Sequence, residues 1–314
     1  MVTRRFIFFG TIVVTWVLCG AAPIFARSTS LPLWQTAQQA EGSADPRVFT
    51  EQDVAYGKVG GHPLLLDIYE PRELASTTND LRPAIVLIHG GAWSSFDKGT
   101  MKGMGLFLAR SGFVAFSVDY RLFQEKENLW PAQLDDVQRA VRWIRANAAK
   151  YHVDPKHMGA FGHSAGAQLA ALLGMEDTRD NSDPELAKYS SKVQAVVDVS
   201  GPTDFTTAYG SDGGAFFTAF FGGDYAHSSQ VWRDASPALR VSKTTSPFLI
   251  VHGTQDSDVP IRQAQELADK LKHSHIPVKF VKVEDGHTFE TVEARKQLAL
   301  ETRDFFFQYL KSGQ

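Results

Sequence analysis

Six short stretches of this chain, Ala84–Ile88, Val114–Val118, Met158–Phe161, Ala195–Val199, Phe248–Val251 and Val278–Val283, are compact and mainly apolar. A strand with one face in water alternates apolar and polar residues, so runs that do not alternate read as strands covered on both faces. Segments of helical period lie between them: Leu134, Val137, Val141 and Ile144 recur at spacings of three and four, and Ile261–Leu271 and Val292–Leu310 repeat the pattern. Strand alternating with helix predicts an α/β fold, a mostly parallel sheet with helices on both faces. Two further strand-like runs, Asp53–Val59 and Pro63–Tyr69, are joined by Gly60-Gly61 and predict an antiparallel hairpin at the sheet edge.

Two insertions break the alternation. Glu176–Lys192 is polar, whereas Phe205–Pro237 carries Phe216, Phe217, Phe220 and Phe221 between glycine pairs. These rings fit either a small helix packed on the core or a cap over the acyl or aromatic part of a substrate. With 43% hydrophobic and 21% charged residues in 314, the chain has the composition of one large globular domain, expected over residues 50–314. Ahead of it, Arg4-Arg5, the apolar run Phe6–Leu18 and the small residues up to Ala26 predict a signal peptide over residues 1–26, with an uncleaved anchor as the alternative. Residues 27–49 are expected to be a flexible leader. This places the protein outside the cytoplasm, secreted or periplasmic, with no stable membrane span after cleavage. Cys19 is the single cysteine and lies within the signal segment, so the mature chain has no thiol for disulfides, catalysis or zinc. A net charge of −3 with no basic block excludes a nucleic-acid partner.

Gly162-His163-Ser164-Ala165-Gly166 sits between an apolar run ending at Phe161 and a small-residue, helix-favouring run over Ala167–Leu173. That context makes it a nucleophile elbow, a sharp strand-to-helix turn that presents Ser164 above the sheet. A serine hydroxyl needs a general base, an acid to orient that base, and donors for the oxyanion. His287 follows the last strand and precedes the terminal helix, the position expected of the base. Asp256 and Asp258 follow the penultimate strand; either is within reach on spacing, with Asp256 assigned to the triad and Asp258 to capping the next helix. His89-Gly90-Gly91-Ala92-Trp93 follows the Ala84–Ile88 strand, and its small residues let the amides of Gly91 and Ala92, with that of Ala165, approach an oxyanion. His89 is read as a brace of this loop and Asp119-Tyr120-Arg121 as its hydrogen-bonded support. Trp93, His163, Phe216 and Phe217 are the candidate substrate contacts, with core filling the alternative for Trp93 and a packing or helix-start role the alternative for His163. No metal ligands are assigned, since a spacing of two turns His273 and His275 apart, and no cofactor is required.

Together with Trp130-Pro131-Ala132, Ser236-Pro237 and His252-Gly253-Thr254, these motifs resemble the α/β-hydrolase superfamily, and within it the BD-FAE-like bacterial esterases, related to carboxylesterases of the hormone-sensitive-lipase type. The resemblance runs from about Asp53 to the C-terminus. It implies hydrolysis of small-molecule or saccharide-linked carboxylic esters through an acyl-enzyme. His163 stands where the lipase-type enzymes usually carry an acid, and Ala92 where they carry a third glycine. Two alternatives remain: an arylformamidase-like amide hydrolase, because a similar His-Gly-Gly-x-Trp loop occurs there, and a secreted binding module that keeps the fold without activity.

Overall fold

The computed structural model describes residues 45–72 and 81–310. The expected signal peptide and residues 27–44 of the leader lie outside the described residues.

The apolar runs form one eight-stranded sheet in the order β1-β2-β4-β3-β5-β6-β7-β8: β1 (Val48–Val59), β2 (His62–Pro71), β3 (Arg82–Ile88), β4 (Val114–Val118), β5 (Val153–His163), β6 (Ala195–Val199), β7 (Phe248–Gly253) and β8 (Val278–Val283). β1 pairs antiparallel with β2 through the Gly60-Gly61 turn, and β2 antiparallel with β4. From β4 to β8 every neighbouring pair is parallel, as two-sided burial required. β1 begins at Val48, before the expected start near Thr50, because its first residues pair with the far end of β2, Val48 opposite Pro71.

Alternate residues of each strand feed two separate cores. Ala84, Val86 and Ile88 of β3 face one side with α2 (Ala132–Ala146), α3 (Ala165–Met175) and α7 (Arg262–His273); Ile85 and Leu87 face the other with α1 (Lys102–Arg110) and α8 (Val292–Leu310). The second insertion folds into three short helices, α4 (Ala208–Asp212), α5 (Gly214–Phe220) and α6 (Tyr225–Asp234), whose Tyr209, Phe217, Phe220 and Trp232 join the first core. Among the described residues no helix is long and apolar enough to cross a membrane.

Parallel strands bring all their carboxyl ends to one edge of the sheet, where ligand sites of open α/β folds form. β3 ends at the His89-Gly90-Gly91 loop, β5 at Ser164, β7 just before Asp256 and β8 just before His287. Segments distant in sequence thereby share one rim.

Candidate active site

Ser164 lies between β5 and α3 at φ 54° and ψ −121°, a region side-chain-bearing residues seldom occupy. Such strain costs on the order of 1–3 kcal/mol and persists only where the surroundings enforce it. Here its amide donates to the Val199 carbonyl at 2.8 Å, and its own carbonyl accepts from the Ala167 amide at 2.9 Å. The flanking glycines are steric necessities: a Cβ on Gly162 would stand 2.1 Å from the Gly166 carbonyl oxygen, and one on Gly166 would stand 2.2 Å from that of Ile88. Ala165, the first residue of α3, turns its amide out at the positive end of the helix.

The imidazole and the carboxylate meet. His287 Nδ1 donates to Asp256 Oδ2 at 2.8 Å, with the Asp256 side chain fully buried and that of His287 11% exposed. Burial would raise the Asp256 pKa, but hydrogen bonds from His252 and His287, together with their charges, outweigh it and hold the carboxyl well below the usual carboxylate range. An ionised Asp256 keeps the proton of His287 on Nδ1 and leaves the Nε2 lone pair for a proton acceptor's work.

Asp256 is more tightly held than its spacing suggested. Oδ1 accepts the amides of Asp258 at 2.9 Å and Val259 at 2.8 Å. The expectation that Asp258 caps the following helix is thereby corrected: the turn amides go to Asp256, and the residue before α7, Ile261, makes no side-chain cap bond. His252, fully buried at the end of β7, adds a second imidazole on Asp256, 3.2 Å from Oδ2, while its Nε2 lies 2.8 Å from the Val259 carbonyl. That carbonyl can only accept, so Nε2 carries the proton and is shared between the two oxygens. Sequence reading took His252 for a motif residue alone; its i,i+4 spacing to Asp256 was the available signal.

His163 corrects another expectation. Its ring is buried, with Nε2 2.9 Å from the His287 carbonyl oxygen and the two rings 5.0 Å apart, so it fastens the His287 loop to the elbow. Burial first, then the charge of His287, pushes its pKa down to about 3, so it serves as a neutral donor.

The Gly91 loop is built to turn amides outward. Tyr120 donates its hydroxyl to the carbonyls of His89 at 3.1 Å and Gly90 at 3.3 Å, His89 Nδ1 lies 2.7 Å from the Gly90 carbonyl, and the amides of Ser94 and Ser95 reach the Gly91 carbonyl at 3.0 Å each. In a trans peptide the N–H points opposite to the C=O, so fixing the carbonyls of Gly90 and Gly91 turns the amides of Gly91 and Ala92 the other way. Neither amide has a partner among the described residues. A Cβ on Gly90 would stand 3.1 Å from Ser164 Cβ, which places the loop against the elbow. Gly91, Ala92 and Trp93 all have positive φ, 103°, 49° and 58°. His89 stacks on Tyr120 at 4.2 Å, and burial lowers its pKa to about 4, in keeping with a neutral brace. Arg121 anchors the strand end behind it through Nε and Nη2 on Asp136, at 2.8 Å each.

Trp93 and Phe217, expected at the substrate, are core residues. Trp93 is 1% exposed and Phe217 fully buried. Trp93 stacks on Phe220 at 4.8 Å and meets Phe205 and Phe217 edge-on, while its Nε1 donates to Gln168 Oε1 at 3.1 Å. The interior reading of the phenylalanines therefore holds for Phe217, Phe220 and Phe221; Phe216 is half-buried beside Phe123. Two residues escaped sequence reading. Gln168, a lone amide in the small-residue helix α3, also donates from Nε2 to the Ala235 carbonyl at 2.8 Å and so ties the oxyanion loop to the second insertion. Phe96 is 38% exposed, and a Cβ on Gly91 would lie 2.7 Å from its ring; no pattern in the sequence marks it.

The BD-FAE family model matches residues 66–271, more than half of the chain, and takes in the oxyanion loop, the elbow and Asp256. The chain belongs to the BD-FAE family. Esterase LipC of Mycobacterium tuberculosis is 29% identical over 242 residues, covering 74% of this chain and 58% of LipC. The chain spans about half the length of the curated relatives it matches. Among solved structures, a truncated carbohydrate esterase from gut microbiota aligns with a TM-score of 0.66 at 27% identity, over 85% of this chain and 99% of that one. The propionate-bound Est2 esterase of the planctomycete Thermogutta terrifontis aligns with a TM-score of 0.72 at 25% identity, over 85% and 97%. This BD-FAE chain thus has the α/β-hydrolase fold along nearly the whole of both neighbours.

Proposed function

We propose that this protein is an exported serine hydrolase that cleaves carboxylic esters through an acyl-enzyme. The observation that carries the reading is the Asp256–His287 hydrogen bond of 2.8 Å, fastened beside the strained Ser164 through His163. Ser164 Oγ attacks the ester carbonyl while His287 Nε2 takes its proton, and Asp256 stabilises the imidazolium. Charge developing on the carbonyl oxygen is met by the amides of Gly91, Ala92 and Ala165. Collapse of the tetrahedral species expels the alcohol, which takes the proton from His287; water then repeats the sequence on the acyl-enzyme and releases the acid. Small-molecule or saccharide-linked esters are the proposed substrates, supported by the LipC and Est2 relatives and by the carbohydrate esterase neighbour. Phe96 and Phe216, aromatic residues still in reach of solvent near the oxyanion loop, are proposed to flank the substrate.

Ser164→Ala should fold as the parent does by circular dichroism and lose about 10⁴-fold or more in kcat on p-nitrophenyl acetate. Unchanged turnover rejects the assignment. Faster cleavage of formyl-kynurenine than of short acyl esters would transfer the same machinery to amide hydrolysis.

A further inference from the structure

On the sheet face opposite the aromatic insertion, α1 and α8 flank a partly open cavity of about 160 Å³. Met104 and Phe107 of α1, Phe161 of β5, Phe289 of the loop after β8 and Leu298 of α8 give it apolar walls. Buried apolar cavities of about 150 Å³ take up benzene, so the space suits one aromatic ring or a short aliphatic chain. Ser164, Asp256 and His287 do not line it. Two polar residues do. Arg295 lines it at the solvent side, where its guanidinium donates to the Glu290 carbonyl at 2.8 Å in an exposed bond and makes no ion pair among the described residues. His163 contributes a ring whose Nε2 is already committed to the His287 carbonyl.

A cation without a carboxylate partner at the edge of a mainly apolar cavity is complementary to an anion carrying an apolar body. We propose that this cavity binds a free monocarboxylate with a small apolar tail, the tail against Phe107, Phe161 and Leu298 and the carboxylate on Arg295. Because His163 is both a wall of the cavity and the support of the catalytic loop, an occupant pressing on its ring changes how His287 is held. This second consequence rests on the hydrolase reading given above; binding itself does not. Occupancy alters kcat and leaves KM for a small ester unchanged, since the ester site is not shared.

Benzoate titrated into the full chain by calorimetry, and into Ser164→Ala in parallel, tests the site apart from catalysis. Both proteins should bind one equivalent with a Kd below about 1 mM. Arg295→Gln should weaken binding at least about tenfold, the loss of one charge-assisted contact, and Ala299→Phe, which projects a ring from the cavity wall, should abolish it. No saturable binding, or binding equally tight in Ala299→Phe, overturns the proposal. Benzoate should lower kcat for p-nitrophenyl acetate at constant KM in the parent, with half of the effect reached at an at least about tenfold higher concentration in Arg295→Gln; competition with the ester would place benzoate at Ser164 and overturn it as well. If benzoate binds as described while no ester is turned over, the hydrolase reading fails and the binding site stands.

Discussion

Residues 176–192 lie along α2 and are held by its arginines. Arg142 donates to the carbonyls of Leu186 and Asp180, Arg145 to those of Ser190 and Lys192, and Arg139 pairs with Asp183 at 2.6 Å. Residues 205–237 are held by rings instead: Phe217 and Phe221 stack at 5.8 Å, Phe221 lies 4.8 Å from Trp232, and Phe220 stacks on Trp93. The two insertions occupy the same sheet face, yet only the aromatic one touches the oxyanion loop, through Trp93 and Gln168. Guanidinium-to-carbonyl bonds secure a loop on a helix without transmitting its position further. Close-packed rings fill a shared volume, so a change in one displaces the next.

Truncating each anchor breaks this contrast most strongly. Phe217→Ala should cost about 3–5 kcal/mol in unfolding free energy and lower kcat, because Trp93 loses a neighbour beneath the loop that carries Gly91 and Ala92. Arg145→Met leaves the partly buried carbonyls of Ser190 and Lys192 without this donor and should cost about 1 kcal/mol with kcat unchanged. Denaturant unfolding and p-nitrophenyl acetate turnover measure both; equal losses of kcat would show that the insertions do not differ.

A smaller effect sharpens the comparison at the entrance to the aromatic insertion. Asp198 is buried at the end of β6, and its Oδ1 accepts the Gly201 amide at 3.0 Å, fixing the turn that leads into residues 205–237. Burial pushes its pKa up from 3.8 to about 6 against that hydrogen bond. The folded state thus binds the proton more tightly than the unfolded chain, and wild-type stability falls as pH rises between these two values, then levels off. Asn keeps the acceptor and never ionises, so Asp198→Asn should be more stable than wild type at pH 8 by up to about 3 kcal/mol, with the difference vanishing near pH 4. Thermal unfolding of both proteins across that range reads the effect; a constant difference would mean that Asp198 does not titrate in it.

The central strands and their mostly parallel pairing were legible because burial on two faces writes itself into unbroken apolar runs, and the hairpin because Gly60-Gly61 separates two strand-like segments; the order of the strands in the sheet was not. The elbow, Asp256 and His287 were legible because chain order ties each to a particular strand end. What escaped is what one dimension does not encode. A phenylalanine plugging a core and a phenylalanine capping a substrate are equally apolar, so the sequence left both sides open for Trp93 and Phe217, and their burial decides for the core. His163 passed for a substrate contact because its partner, the His287 carbonyl, lies 124 residues away. Asp256 and Asp258 compete for one turn, and only the fold shows that a single carboxylate serves both the turn amides and the imidazole.

Treatment with a fluorophosphonate, followed by peptide mass spectrometry, interrogates the convergence of hydroxyl, imidazole and carboxylate most directly. One adduct should form, on the peptide bearing Ser164, and His287→Ala should slow its formation by about 10³-fold or more. A label on another residue, or equally rapid labelling without the imidazole, would contradict the arrangement.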